Sequence, residues 1–408
     1  MAASPGHSPC GDSPSGDSAV TDDEQQIIDE AVRFAAQHVQ PLAETWERER
    51  RFAAEAFAAL ADAGLTGLLV PVELGGRGAG PVALARVLEE LAAVDLGAAF
   101  SAVVHNNMAR AVAMSGNDHL VAELLPKLLS GELLGAFLLT EPGVGSDAAA
   151  ITCTAVQDGD EWVINGEKAW VTNASHAQSL NVYATTDPAG GHRAIVSVVV
   201  DPEAPGVTRI EPYELHGGHA MGTGGFRFDN VRAPVANTLA PVGQAFAAAM
   251  VGIDLARVLV GAMCCGMVRS SLRVALAYTA ERSLFGSTVA DKQGVQWMLA
   301  DVATDLEAAR LLTFRAARQL QNGEDATVMA AHAKKYAARM AEQRISDCMQ
   351  VMGAAGYRRG EDNPLPRHLA GAKLTGYIDG ATEIQNVVIA RRLWADQSVS
   401  SSAISALK

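Results

Sequence analysis

Beginning at residue 21, apolar positions recur with a helical period. Thr21-Asp22-Asp23-Glu24 carries a capping-box pattern just ahead of Ile27, Ala31, Phe34 and Ala35, which share one helix face. The same period runs through 53–63, through 81–93, where Pro81 suits the first helical position, and through 120–129. Up to about residue 134 the pattern predicts helices. Between Leu138 and Pro234 it gives way to β-branched runs and turn dipeptides. Asp158-Gly159 and Asn165-Gly166 sit between short strand-like stretches, and Asn-Gly flanked by Val163-Ile164 and Trp170-Val171 predicts a hairpin. Residues 194–200, AIVSVVV, predict a further strand. These strands are too closely spaced for helical crossovers.

After Pro241 the helical period returns. Residues 246–280 are Ala-rich and apolar nearly all round, which predicts a helix buried by neighbours or by another subunit. Val295, Leu299, Val302, Leu306 and Ala309 mark the core face of the next helix, and 326–352 and 382–394 supply two more. The predicted architecture is α+β multidomain. It comprises an N-terminal helical domain (21–134), a central β-barrel or sandwich domain (135–241) and a C-terminal four-helix-bundle domain (242–396). Tails at 1–20, rich in Ser, Gly and Pro, and at 397–408 flank them.

Composition narrows the function classes. Among 408 residues, 32 Lys plus Arg against 46 Asp plus Glu leave a net charge of −14, which disfavours nucleic acid and anionic membrane as partners. Cys10, Cys153, Cys264, Cys265 and Cys348 are too scattered for a disulfide framework or a zinc site. The apolar run 258–268, bounded by Arg257 and Arg269, is well short of the roughly 18 residues a span requires. Residues 1–18 lack Lys, Arg and any apolar stretch, as neither a secretory signal nor a transit peptide would. The expected location is therefore cytoplasmic.

Single motifs say little. Gly143-Val144-Gly145-Ser146-Asp147-Ala148 matches G-x-G-x-x-A, but the pattern predicts a strand after it, where a dinucleotide fingerprint opens a helix. His216 and His219 lack a third metal ligand nearby and read as surface residues or ligand contacts. No nucleophile-elbow sequence supports Ser-His-Asp chemistry.

Five segments taken together are another matter. They are FLLTEPGVGSD at 137–147, NGEKAWVTN at 165–173, ERSLFG at 281–286 with Gln293, QVMGAAGY at 350–357 and YIDGATEIQ at 377–385. In that order they resemble the acyl-CoA dehydrogenase family of flavoproteins over roughly residues 21–395. The resemblance implies FAD as cofactor, with Phe137, Leu139, Thr140, Gly145, Ser146, Trp170 and Thr172 around the flavin. It further implies that Arg282, Phe285, Gln293, Gln350 and Gly353 reach the dinucleotide across a subunit interface, with Thr382 and Glu383 on the flavin side. A homo-oligomer follows, with a dimer of dimers as the family's usual state. A guanidinium fork such as that of Arg282 suits phosphate.

The implied reaction is α,β-dehydrogenation of an acyl thioester, carried on coenzyme A or an acyl carrier protein, with an electron-transfer flavoprotein as one candidate acceptor. Ser146, Asp254, Arg257 and Gly380 would contact substrate. The catalytic base would be Asp379, where the family usually has Glu, and the shorter side chain withdraws the carboxylate by about 1.5 Å. Some members place the base just before the arginine of the long helix. Ala256 stands there and cannot serve, while Asp254 lies about 200° around the helix from it. Ala354 replaces a glycine of the fourth segment. Asn386 stands where the family commonly has Arg, and loss of that cation would raise the base's pKa. Two other readings stay open. One is a flavin oxidase resembling nitroalkane oxidases, which use Asp as base but keep the Arg; the other is a non-catalytic flavoprotein-fold binding protein.

Overall fold

The computed structural model describes residues 20–405. Helices open the chain: α1 (Asp22–Phe34), α2 (Ala43–Glu49), α3 (Ala54–Asp62), α4 (Pro81–Ala92), α5 (Leu96–Ala113), α6 (Asp118–Glu123) and α7 (Leu125–Leu129). The capping box forms at α1, with the Glu24 amide donating to Thr21 Oγ1 at 3.2 Å and the Thr21 amide to Glu24 Oε2 at 3.0 Å. The pattern does not predict α5. Most of its residues are buried, so no polar stripe gives it a helical period, and Asp95 caps it by accepting from the Ala98 amide at 2.9 Å.

The β domain contains β1 (Gly135–Leu138), β2 (Thr154–Asp158), β3 (Glu161–Val171), β4 (Ser179–Thr185), β5 (Ile195–Val200), β6 (Val207–Ile210), β7 (Gly224–Pro234) and β8 (Thr238–Ala240). The sheet order is β6-β7-β3-β2-β4-β5-β8, with β1 parallel to β4. Asp158-Gly159 does turn β2 into antiparallel β3. The hairpin expected at Asn165-Gly166 does not form, because β3 runs straight through it and merely shifts register against β7. Gly166 has φ 142°, and a Cβ there would come within 2.7 Å of Cys153, so the glycine marks a close approach between strands rather than a turn.

Helices α8 (Ala245–Glu281), α9 (Gln293–Gln321), α10 (Thr327–Met352), α11 (Ala354–Tyr357), α12 (Leu365–Thr375) and α13 (Thr382–Ser405) complete the chain, with a small ribbon of β9 (Ser283–Leu284) and β10 (Ser287–Thr288). The expected tail at 397–408 is thus helical as far as Ser405, while the tail expected at 1–20 lies almost wholly outside the described residues. By length and composition α8 could cross a bilayer, but 72% of its apolar window is buried within the protein. A single apolar core runs from α1, α4 and α5 into α8, α9 and α10, so both helical regions share one interior. The β domain has its own core around Trp162, Ile164, Phe226 and Phe228.

Candidate functional site

The end of β1, the loop after it and the end of β3 form one surface. They are joined by Ala169, whose amide donates to the Thr140 carbonyl at 3.0 Å, and by a buried ion pair. Lys168 Nζ lies 2.8 Å from Glu141 Oε1 and also donates to the Leu139 carbonyl at 2.9 Å. Glu141 accepts in addition from the Thr152 and Cys153 amides. Burial opposes its ionisation, but Lys168 and these amides outweigh that and hold its carboxyl below the ordinary range. At the strand end, Asn173 is fully buried and donates to the carbonyls of Ser101 and Gly135, while its side-chain oxygen accepts from the Ser101 hydroxyl at 2.6 Å. Asn173 thereby ties β3 to α5 and β1.

This framework holds apolar groups outward. Trp170, at φ 58°, is 60% exposed and Phe137 is 37% exposed, whereas Leu139 and Thr172 are buried. Gly145 and Ser146 are exposed, and a Cβ at Gly143 or Gly145 would meet only open space.

A second cluster surrounds Asp379. The loop from Gly376 to Ala381 turns through Asp379 at φ 50° and Gly380 at φ 89°, a left-handed pair in which aspartate is among the few tolerated side chains. Asp379 is half-buried, and its carboxylate makes no hydrogen bond or ion pair among the described residues. Burial pushes its pKa up to about 6, and the Lys334 and Arg257 charges pull the other way. Burial is thus the largest cause acting on the group. Arg257 is buried and bonds Asp254 at 2.8 Å, while the other Asp254 oxygen accepts from Thr327 at 2.6 Å. Arg257 Nε is left buried without a partner. A Cβ on Gly380 would lie 3.8 Å from Arg257 Nη2, so α8 and the loop are in contact. Thr382 and Glu383 open α13 directly behind.

Helix α8 joins the two clusters. Its first turns place Ala245, Phe246, Ala249 and Met250 against Leu139, Val144 and Ile151 of the β-domain loop. From Met250 to Arg257 is seven residues, about 10 Å along the axis at about 1.5 Å each. From Arg257 to Arg282 is 25 residues, about 37 Å. Arg282, Phe285, Gln293, Gln350 and Gly353 therefore form a separate, exposed set at the far end of the bundle. There Phe285 is 91% exposed, and Gly353 ends α10 at φ 61° and ψ −141° with open space where a Cβ would be. Ala354, the departure from the family's glycine, stands exposed beside it.

Three features escape sequence reasoning. Glu141 and Lys168 stand in different motifs, and nothing in either announces that they pair. Lys334, treated below, is one lysine of an Ala-rich helix. His219 is not a surface residue: it is buried with Nδ1 3.1 Å from Glu47 Oε2, which also accepts the Gly218 amide at 3.0 Å. A cleft of about 560 Å³ beside it is lined by Glu44, Glu47, Arg50, His216 and Arg359, too charged for an acyl chain and separate from Asp379. No group of three metal-ligating side chains occurs among the described residues.

The exposed rings of Trp170 and Phe137, the open glycines of the loop after β1, and an exposed arginine-bearing set suit a flavin ring and a dinucleotide. The comparisons agree. Acyl-CoA dehydrogenase N-terminal, middle and C-terminal domains match residues 21–132, 136–231 and 243–394. A probable acyl-CoA dehydrogenase of Bacillus subtilis is 34% identical over 374 residues, covering 91% of this chain and 98% of the relative. Butyryl-CoA dehydrogenase of Megasphaera elsdenii superimposes with a TM-score of 0.87 at 30% identity, over 92% of this chain and 99% of that one. The prolyl acyl carrier protein oxidase AnaB does so at 0.86 and 25% identity, over 92% and 100%. The fold and these matches define an FAD-dependent oxidoreductase acting on CH–CH groups. The chain belongs to the acyl-CoA dehydrogenase family.

Proposed function

We propose that the protein dehydrogenates an acyl thioester between its α and β carbons, with Asp379 as the base. The observation that carries this reading is a half-buried carboxylate left without any partner, in a left-handed loop that touches the α8 arginine. A carboxylate whose role was structural would be paired or capped. One unpaired and raised to about 6 is ionised near neutral pH yet basic enough to take a proton. Asp379 would remove the α proton; the Gly380 backbone and the unpartnered Arg257 Nε–H would hold the thioester end, and Asp254 fixes Arg257. Bound FAD would supply the hydride acceptor for the β hydrogen. Trp170 and Phe137 would give it apolar faces, Thr140, Ser146 and Thr172 its hydrogen bonds, and Leu139 and Gly145 the loop around it. Thr382 and Glu383 lie on the same side.

The same reading makes the site a shared one. Arg282 lies about 37 Å along α8 from Arg257. It would therefore serve, with Phe285, Gln293, Gln350 and Gly353, the cofactor of a second copy. Mixing two inactive variants tests this. Arg282→Ala should lose FAD and Asp379→Asn should lose turnover, while co-assembled hybrids regain a substantial fraction of activity because half their sites are intact. Hybrids as inactive as the parents would confine each site to one chain.

The carrier, coenzyme A or acyl carrier protein, presents the same pantetheine arm, and an electron-transfer flavoprotein is the proposed acceptor. Anaerobic titration of the yellow holoenzyme decides the substrate class. Bleaching by acyl-CoA or by acyl carrier protein thioesters is the expected result. Bleaching by a nitroalkane alone would replace this reading with an oxidase.

A further inference from the structure

The loop that carries Asp379 is gripped from behind by a lysine that no motif includes. Lys334 lies on α10 and is fully buried. Its ammonium donates to the Gly380 carbonyl at 2.7 Å and to the Gly376 carbonyl at 3.4 Å, one on each side of Asp379. It has no carboxylate within 4.0 Å among the described residues, so this cation is held entirely by backbone oxygens. That is an expensive arrangement, because an ammonium in a protein interior has lost its hydration. Burial accordingly pulls its pKa down to about 8. Nor do the two carbonyls require it. Gln385 Nε2 also donates to Gly380 at 2.8 Å, and the Thr382 amide to Gly376 at 3.1 Å. If tying down the loop were the whole purpose, a neutral donor would serve at this position without the cost of a buried charge.

We infer that Lys334 is a positioning residue for the base: it fixes the loop on both sides of Asp379 and supplies the cation that keeps its carboxylate ionised. The inference rests on the reading of Asp379 as base and assigns Lys334 the electrostatic task left open by Asn386. The other charge facing the carboxylate is Arg257 on α8, while Glu383 of α13 and the Cys264 thiol of α8 act on Lys334. Of these, Arg257 is already engaged with Asp254.

Two substitutions separate the two roles. Lys334→Gln keeps a donor and loses the charge; Lys334→Met loses both. In the holoenzyme both should retain FAD, since the cofactor-binding residues are elsewhere. In both, the acidic limb of the flavin-reduction profile should move up by about one pH unit, the size expected for removing a nearby opposite charge. Lys334→Met should in addition reduce the limiting rate by about tenfold to a hundredfold through loss of loop register. A second readout needs no turnover. Ionisation of Asp379 destabilises the fold as pH rises toward its native pKa, and without Lys334 that loss in melting temperature should run on to about one unit higher before it levels off. Arg should restore part of the limiting rate. Should Lys334→Met not fold, Lys334→Gln still carries the pH test. Unmoved limbs in both profiles, with Asp379→Asn inactive, would overturn the role of Lys334 alone. Wild-type reduction in Asp379→Asn would instead remove the base reading beneath it.

Discussion

Asp379→Asn is expected to retain FAD and lose flavin reduction by several orders of magnitude. The amide is isosteric and tolerates the left-handed φ of 50° about as well as aspartate, so the loop should keep its shape. What it lacks is the basic oxygen proposed to take the α proton, and neither Asp254 nor Glu383 is set to substitute. Asp254 is committed to Arg257 and Thr327, and Glu383 is exposed at the start of α13. Stability should move the opposite way from activity. Burial raises the native pKa to about 6, above the unfolded value, so the folded protein prefers the protonated acid. The associated stability is present at acid pH and is lost as pH rises through about 6. The asparagine variant escapes that loss. It should melt above the wild type at pH 8 and level with it near pH 4. Thermal melts across that range and anaerobic stopped-flow reduction measure both halves. A variant reducing at the wild-type rate would remove Asp379 from the mechanism.

Such a trade marks a site whose composition was set by chemistry rather than by packing. The same reasoning applies to Arg257, whose Nε is buried without a partner, and to Trp170, which is held at positive φ and stays 60% exposed although its ring packs against Tyr213.

Sequence patterns carried far into this fold where a local signal sufficed. The capping box at Thr21, the proline opening α4 and the apolar face from Val295 to Ala309 are local events, and each is where the pattern puts it. Asn165-Gly166 misled because the dipeptide is equally suited to a bulge, and only the approach of Cys153 decides between them. Helix α5 was hidden by its uniform burial. At the site, the order of five motifs identified the family, but spacing could not reveal that α8 sets one group of residues near its start and another about 37 Å away. Lys334 and His219 were illegible for a common reason: each is defined by what a distant segment brings to it.

The Glu141–Lys168 pair, formed between two of those motifs, should give the largest structural effect. Both side chains are buried, at 3% and 0% exposure, and removing one partner from such a pair costs about 3–5 kcal/mol because the other charge is left unpaired. Lys168→Met should show a loss of that order in denaturant melts. It should also release FAD more readily, since the Leu139 carbonyl and Glu141 lose the tether that joins the loop carrying Gly145 and Ser146 to the end of β3. Adding Glu141→Gln to Lys168→Met removes the stranded charge and should recover part of the stability. It should not recover tight FAD retention, because the tether from Lys168 to the Leu139 carbonyl remains absent. A double variant no more stable than Lys168→Met would mean that the cost lay in the backbone contact to Leu139. Full recovery of both properties would mean that the ion pair does not shape the flavin loop at all.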